Sequence, residues 1–274
     1  MKTLLTTDFT DSSKNAIDYA IQLLSKEDQV KYKLVHAHKP MVSYSGEKSI
    51  PVLENPALKD KLKKELEEMQ WNLKDEYTID VEPELKRGGV YEVVHRLEKN
   101  DSSHDLVVMA TREKSFFERM TFGSNTLQVA QNAETPVLIV PREAKSKSPK
   151  TIAFATDLEP LHIPYTSLKL VKDLIDQHDA ALEVVHVYES EEEKEKSVSM
   201  KDTAMHRYME EIEHKHVSMI NESVYDGIID YISKHKPDML VLIPRDRNFF
   251  EQLFDKSVSK QMARDTDIPS LVLN

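Results

Sequence analysis

The chain contains no cysteine. That excludes disulfides, zinc–thiolate centres and thiol nucleophiles together. It also lacks any stretch near the roughly 18 uninterrupted apolar residues of a membrane-spanning helix. Its first acid, Asp8, arrives too early for the apolar core of a secretory signal. Leu4 to Thr7 reads instead as a first strand, and a cytoplasmic protein is the expectation. Bases are in deficit, 37 against 48 acids, for a formal net charge of −11. A field of that sign repels polyanions. The lysine runs Lys61 to Lys64 and Lys145 to Lys150 are short and mixed with other residues, so nucleic acid is not an expected partner. Glycine is scarce, with five residues.

What is present is a repeat. The 274 residues suit two domains of about 130 residues each. Asp105-Leu-Val-Val-Met-Ala110 matches Asp238-Met-Leu-Val-Leu-Ile243, 133 positions on. The same spacing lays Phe116-Phe117-Glu118 on Phe249-Phe250-Glu251, Ser124 on Ser257, and Thr135-Pro136-Val137 to Val140 on Ile268-Pro269-Ser270 to Leu273. Upstream the spacing slips but the order holds. Thr7-Asp8 pairs with Thr156-Asp157, Leu34-Val35-His36 with Val184-Val185-His186, and Val90-Tyr91 with Val224-Tyr225. A tandem duplication follows, with domains at 1–142 and 151–274. The Lys/Ser/Pro stretch 143–150 is the linker.

Within the first half, strand and helix patterns alternate. Leu4 to Thr7 is followed by Asp11-Ser12-Ser13 as a helix cap, then by Ala16, Ile17, Ala20, Ile21 and Leu24 at helical spacing. Tyr32 to Ala37 reads as a strand, Pro56 to Tyr77 as a charged helix opened by proline, and Ile79 to Leu85 as a strand. Val90 to Lys99 is helical, Leu106 to Ala110 is a wholly apolar strand, Asn125 to Asn132 is helical, and Val137 to Val140 closes the half. Apolar strands alternating with helices imply an α/β fold, with a parallel sheet covered on both faces.

At these residues the chain resembles the universal stress protein family in its tandem two-domain form. The resemblance rests on the Thr-Asp that ends the opening strand, the Leu-Val-His strand, Asp-Leu-Val-Val-Met, Gly123-Ser124, and the closing Thr-Pro-Val-Leu-Ile-Val-Pro. It implies two doubly wound domains, each a five-stranded parallel sheet of the adenine nucleotide alpha hydrolase type. Some members bind ATP through Gly, two residues, Gly, nine residues, then Gly-Ser or Gly-Thr. Others lack the pattern and do not bind ATP. Physically, such glycines let backbone amides reach phosphate oxygens at the carboxyl edge of the sheet, in front of a helix N-terminus.

Here the matching positions are Ala110, Glu113 and Gly123-Ser124 in the first half. In the second they are Ile243, Asp246 and Lys256-Ser257. Glu113 sets a carboxylate where the family approaches phosphate, with Arg112 and Lys114 as partial offsets. The second half has lost all three glycines, and Pro244 follows at once. The resemblance implies a small-ligand site in the first half, at Asp8, Ala37, Ala110, Gly123 and Ser124. ATP is expected to bind there weakly or not at all. Asp8 has two readings, a nucleotide contact or a turn and capping residue. Asp157 is expected to cap.

Other candidates carry less chemistry. His36 and His186 recur at one strand position, as packing or hydrogen-bonded residues do. His36 and His38 share a strand face. His214 and His216 are expected on a helix, facing apart, and no metal site is expected. The run Glu189 to Lys196 reads as a solvated loop or helix start. The adjacent aromatics Phe116-Phe117 and Phe249-Phe250 suit a packing or partner contact. No Ser-His-Asp order, nucleophile elbow or complete phosphate loop is present. The expected role is non-catalytic, a stress response exerted through a protein partner or small ligand. An ATP-hydrolysing or nucleotidyl-transferring enzyme of the same fold class is the alternative. The two halves are expected to fold alike and to pair about a pseudo-twofold axis, Val137 to Val140 antiparallel to Ser270 to Leu273. Further homodimerisation is compatible with that arrangement.

Overall fold

The computed structural model describes residues 1–39, 42–45, 48–51, 55–100, 104–111, 124–156, 164–197, 212–243 and 268–274. The first half runs β1 (Lys2–Thr6), α1 (Asp11–Leu23), β2 (Lys31–His38), a hairpin of β3 (Val42–Ser45) and β4 (Lys48–Pro51), α2 (Pro56–Tyr77), β5 (Val81–Arg87), α3 (Val90–Asn100), β6 (Leu106–Ala110), α4 (Ser124–Asn132) and β7 (Val137–Val140). The second runs β8 (Thr151–Ala155), α5 (Tyr165–His178), β9 (Ala181–Tyr188), α6 (Glu191–Ser197), β10 (His214–Ile220), α7 (Val224–His235), β11 (Met239–Leu242) and β12 (Ser270–Val272).

Local chemistry sets the helix ends. The cap of α1 is Thr10, one residue before the expected Asp11-Ser12-Ser13 group. Thr10 has extended backbone, and its Oγ1 accepts from Ser13 N at 3.3 Å. Asp11 falls inside the first turn, where the helix dipole favours an acid. α2 starts as expected, with Asn55 accepting from Ala57 N and Leu58 N and Pro56 next in line. With glycine so scarce, α2, α5 and α7 end on Thr78, Asp179 and Lys236, all in the left-handed region. Each costs about 1 kcal/mol or more that a glycine would spare.

The sheet order is β10-β9-β8-β11-β12-β7-β6-β1-β2-β5. Each half is a five-stranded parallel sheet, and the two join edge to edge through β7 and β12, the one antiparallel junction in this sheet. Leu138 faces Leu271 across it, with Ser270 opposite Ile139 and Val272 opposite Val137. Leu138 and Leu271 are themselves repeat equivalents, so a local twofold passes between them, as the family resemblance implied for a tandem chain. The pairing removes two exposed edges. The outer edges are β5, which carries Pro83 and charged residues, and β10.

Two apolar cores follow, one per sheet face, and both continue across the junction. One gathers Leu5, Ile17, Leu138, Phe154, Leu174 and Leu271. The other gathers Val107, Val137, Ile139, Val185, Ile232 and Val272. Fully burying each such side chain stabilises by about 1.5–3 kcal/mol.

Repeat-equivalent positions keep their contacts while exchanging the partners. Asp105 Oδ2 accepts from Lys2 N at 2.6 Å, and Asp238 Oδ2 accepts from Thr151 N at 3.0 Å, tying the opening strand to its neighbour in each half. Lys33 on β2 pairs with Glu82 and Glu84 on β5. At the matching place Glu183 on β9 pairs with Lys215 on β10 at 3.2 Å, with the charges reversed. Glu183 also accepts from the Tyr231 hydroxyl at 2.6 Å. Burial raises the Glu183 carboxyl, but Tyr231 and Lys215 together hold it below the usual carboxylate value.

A size exchange accompanies the charge exchange. Val93 on α3 and Ala37 on β2 correspond to Gly227 on α7 and Val187 on β9. A Cβ on Gly227 would stand 2.5 Å from Val187 Cγ1. Replacing Gly227 by alanine is therefore expected to cost about 1–2 kcal/mol net, overpacking outweighing the gain in helix propensity. Urea denaturation of the Gly227→Ala chain measures it. Recovery in a Gly227→Ala, Val187→Ala double variant would locate the clash.

The first half is pinned to the second by His178. Its Nε2–H donates to the Leu23 carbonyl at the end of α1 (2.8 Å), and Ser148 of the connecting segment bonds its Nδ1 at 2.6 Å. Lys26 Nζ donates to the Gln177 carbonyl alongside. Burial, aided by Lys26 and Lys150, holds the His178 imidazole below its ordinary value of 6.5 and outweighs the Leu23 hydrogen bond. Burial lowers His36 likewise. Neutral imidazoles are favoured in the folded chain, so their contribution is intact above about pH 6.5. It is lost as pH falls through the folded-state values. Thermal melts between pH 7.5 and 5 are expected to show falling stability, with a shallower fall for His178→Gln.

Candidate functional site

In each half the chain winds outward from its first strand in one direction and then returns to add strands on the other side. The order β5-β2-β1-β6-β7 places this reversal between β1 and β6. Ligands of open α/β sheets sit at such a point, beyond the carboxyl ends of the strands.

Asp8 follows β1 and is exposed. Its Oδ1 accepts from Thr10 N at 3.2 Å and from Thr10 Oγ1 at 2.5 Å. Here Asp8 fixes the turn and orients the residue that caps α1. Between them Phe9 has φ 65, a conformation an aromatic residue adopts at a cost of about 1–3 kcal/mol and one that gathers at functional turns. Thr7 Oγ1 accepts from Phe9 N and bonds Ser13 Oγ, bracing the strained residue from both sides.

Ala37 lies near the end of β2, half-buried against the core that includes Val93. Ala110 closes β6, and its carbonyl accepts from Thr126 Oγ1 of α4 at 3.2 Å. Ser124 begins α4. β1, β2 and β6 are adjacent strands, so Asp8, Ala37 and Ala110 share one edge of the sheet. Gly123, Arg112, Glu113, Lys114 and the Phe116-Phe117 pair lie outside the described residues. So do Asp157, Pro244, Asp246, Phe249-Phe250, Lys256 and Ser257 of the second half.

His36 behaves as the repeat suggested. Its Nδ1 donates to the Thr7 carbonyl at 2.8 Å, and His186 Nδ1 contacts the Thr156 carbonyl at 2.7 Å. Both imidazoles tie the second strand of a half to the end of its first. His38 is held separately, through the Lys86 carbonyl.

The sequence reading passed over Lys39, Gly88 and Gly89. Gly88 has φ +134, and its N–H donates to the His38 carbonyl at 3.0 Å. Gly89 N donates to Glu92 Oε2 at the start of α3. Lys39 lies across Gly89, its Cε 3.0 Å from where a Cβ would stand. This puts an exposed ammonium on the same edge as Ala37. A Gly-Gly pair in a chain with five glycines was the available signal.

His214 and His216 differ from expectation. They lie on β10, not on a helix. Their i, i+2 spacing therefore puts them on one face, with Nε2 atoms 3.0 Å apart. The run Glu189 to Lys196 leads into α6.

Two copies of the universal stress protein family model match the chain, over residues 1–141 and 150–274. The chain belongs to that family, in a tandem form. A universal stress protein of Methanocaldococcus jannaschii is 30% identical over 146 residues, covering 53% of this chain and 84% of the relative. The crystal structure of a universal stress protein from Archaeoglobus fulgidus shares the fold over 99% of this chain and 97% of its own, with TM-score 0.70 and 16% identity. A universal stress protein family protein of Arabidopsis thaliana, solved with AMP bound, aligns with 54% of this chain and 97% of its own, with TM-score 0.36 and 17% identity. Among the described residues no helix is long and apolar enough to cross a membrane.

The division of labour at the first turn is testable. Thr10→Ala is expected to lower stability by about 1 kcal/mol through loss of the α1 cap, and Asp8→Ala by less, because Thr10 keeps its bond to Ser13. Paired urea titrations compare the two.

Proposed function

We propose that this protein acts in a stress response by interaction, without catalysis. Its domains are 1–142 and 151–274, joined by 143–150. The first holds a nucleotide or other small ligand weakly, framed by Asp8, Ala37, Ala110, Gly123 and Ser124, and the second holds none. Its setting is the cytoplasm, and its further partner is a protein or small molecule.

One observation carries the asymmetry. At the positions of half-buried Ala37 and Ala110, the second half has Val187, buried against Gly227, and Ile243. Val93 takes up the volume that Ala37 gives away, so the net difference in size lies at Ala110, where the second half carries Ile243. Charge works in the same direction. An uncompensated carboxylate about 4 Å from a phosphate charge costs on the order of 4 kcal/mol at an effective dielectric of about 20, roughly a thousandfold in affinity. Glu113 brings that cost to the first half, where Arg112 and Lys114 offset part of it. Asp246 brings it to the second, where no glycine of the motif remains. A catalytic reading would need a positioned base at the phosphates; among the described residues of this edge the carboxylate is Asp8, which is engaged by Thr10.

Calorimetric titration of the full chain with Mg-ATP tests the proposal. At most one weak site is expected, tightened by Glu113→Gly and indifferent to Asp246→Gly. Two sites per chain would overturn it. So would one micromolar site that Glu113→Gly leaves unchanged.

A further inference from the structure

The outermost strand of the second half carries a side-chain pair with no counterpart in the first. Register places His214 beside Leu182 and His216 beside Val184 on β9. The matching residues on β5 are Val81 and Pro83. The two imidazoles stand at the amino end of β10, away from the carboxyl edge where Asp8, Ala37 and Ala110 lie.

Their geometry is that of two donors aimed at one point. Two imidazole nitrogens each about 2.1 Å from one ion, at about 90° to each other, stand about 3.0 Å apart. With a ring nitrogen about 1.2 Å from its ring centre, the centres of such a pair fall about 4.7 Å apart. The Nε2 atoms here are 3.0 Å apart and the ring centres 4.6 Å, with planes at 78°. A straight N–H···N hydrogen bond at that nitrogen separation would set the centres about 5.4 Å apart. The bent approach is therefore the chelating one. A tetrahedral angle would spread the nitrogens to about 3.4 Å, so the pair suits the tetragonal preference of nickel(II) or copper(II) better than that of zinc.

The surroundings prepare the pair. His214 Nδ1 donates to the Ile212 carbonyl at 2.7 Å. This fixes the tautomer and leaves Nε2 as a lone-pair donor, the outer support that metal-bound histidines have. His216 brings its Nε2 to the same point, 3.0 Å away. Lys215, between them, points to the opposite sheet face and is engaged by Glu183, so its charge is turned away. Among the described residues no group of three or more His, Asp or Glu side chains converges. The proposed chelate is therefore bidentate from the described residues.

We propose that His214 and His216 form a surface chelate for a tetragonal divalent transition ion, nickel(II) or copper(II). The test is calorimetric titration of the full chain, free of any histidine tag, with nickel(II) at pH 7.5. Copper(II) electron paramagnetic resonance provides a second readout. One micromolar site per chain is expected. Affinity should fall at least about tenfold in His214→Ala and in His216→Ala, the loss that follows removal even of an outer partner. His216→Gln, which keeps size and polarity, should fall equally, and Lys215→Ala should not. The copper spectrum should be axial, with nitrogen couplings that vanish in the variants. Circular dichroism verifies that each variant is folded. Nickel affinity unchanged in the His214→Ala, His216→Ala double variant would overturn the proposal, as would binding no tighter than millimolar in the parent chain. Zinc binding tighter than nickel at this site would overturn the tetragonal assignment.

Discussion

The antiparallel pairing of β7 with β12 is the constraint on which the rest of this molecule depends. Three residue pairs are not much of a ladder, but every side chain in them is buried. Leu138 and Leu271 enter one core, and Val137, Ile139 and Val272 enter the other. Because side chains alternate between faces, a one-residue slip would move each set to the wrong core. The junction thus fixes its own register. With that register set, the ten strands form one sheet, and each helix layer has a continuous floor beneath it.

The short connection between the halves makes so brief a ladder sufficient. Two separate chains would meet the cost of association in full. Here the partner edge is tethered by the segment between β7 and β8, which converts the encounter into an intramolecular one. The tether is itself built into the structure. Asn15 of α1 donates to the carbonyls of Pro141 and Ala144, Ser148 meets His178, and Lys150 N donates to Asp238. It is therefore ordered linkage with partners in both halves, unlike a flexible spacer.

Much of this architecture was legible in the sequence, for identifiable reasons. Apolar runs such as Leu106 to Ala110 and Val137 to Val140 can be little but buried strands, and the structure places both within the bounds read from the sequence. Pro56 marked the start of α2. The family resemblance, applied to the repeat, foretold the junction. The errors fell where local signals compete. Thr10, Asp11, Ser12 and Ser13 can all cap a helix, and only backbone conformation selects Thr10. His214 to Ile220 alternates polar and apolar residues, which is the strand period, but its histidines do not announce a strand as β-branched residues do. At the candidate site, Asp8, Ala37 and Ala110 could be named through the family resemblance. Lys39 could not, because it reaches the edge only through the close approach that Gly89 permits.

The exchanged pairs show what duplication has and has not held constant. Lys33 with Glu82 and Glu183 with Lys215 supply the same attraction with opposite signs. Val93 with Ala37 and Gly227 with Val187 divide a similar volume in opposite proportions. In both cases the contact persists while the residues do not, because packing and charge balance constrain pairs rather than single positions. A symmetric dimer of identical chains would carry every such change twice. The tandem chain carries it once, so the second half can hold Ile243 where the first keeps Ala110. For the same reason a histidine pair can arise on one outer strand alone. Covalent duplication has kept the symmetry at the junction, where buried register demands it, and released it at the edges.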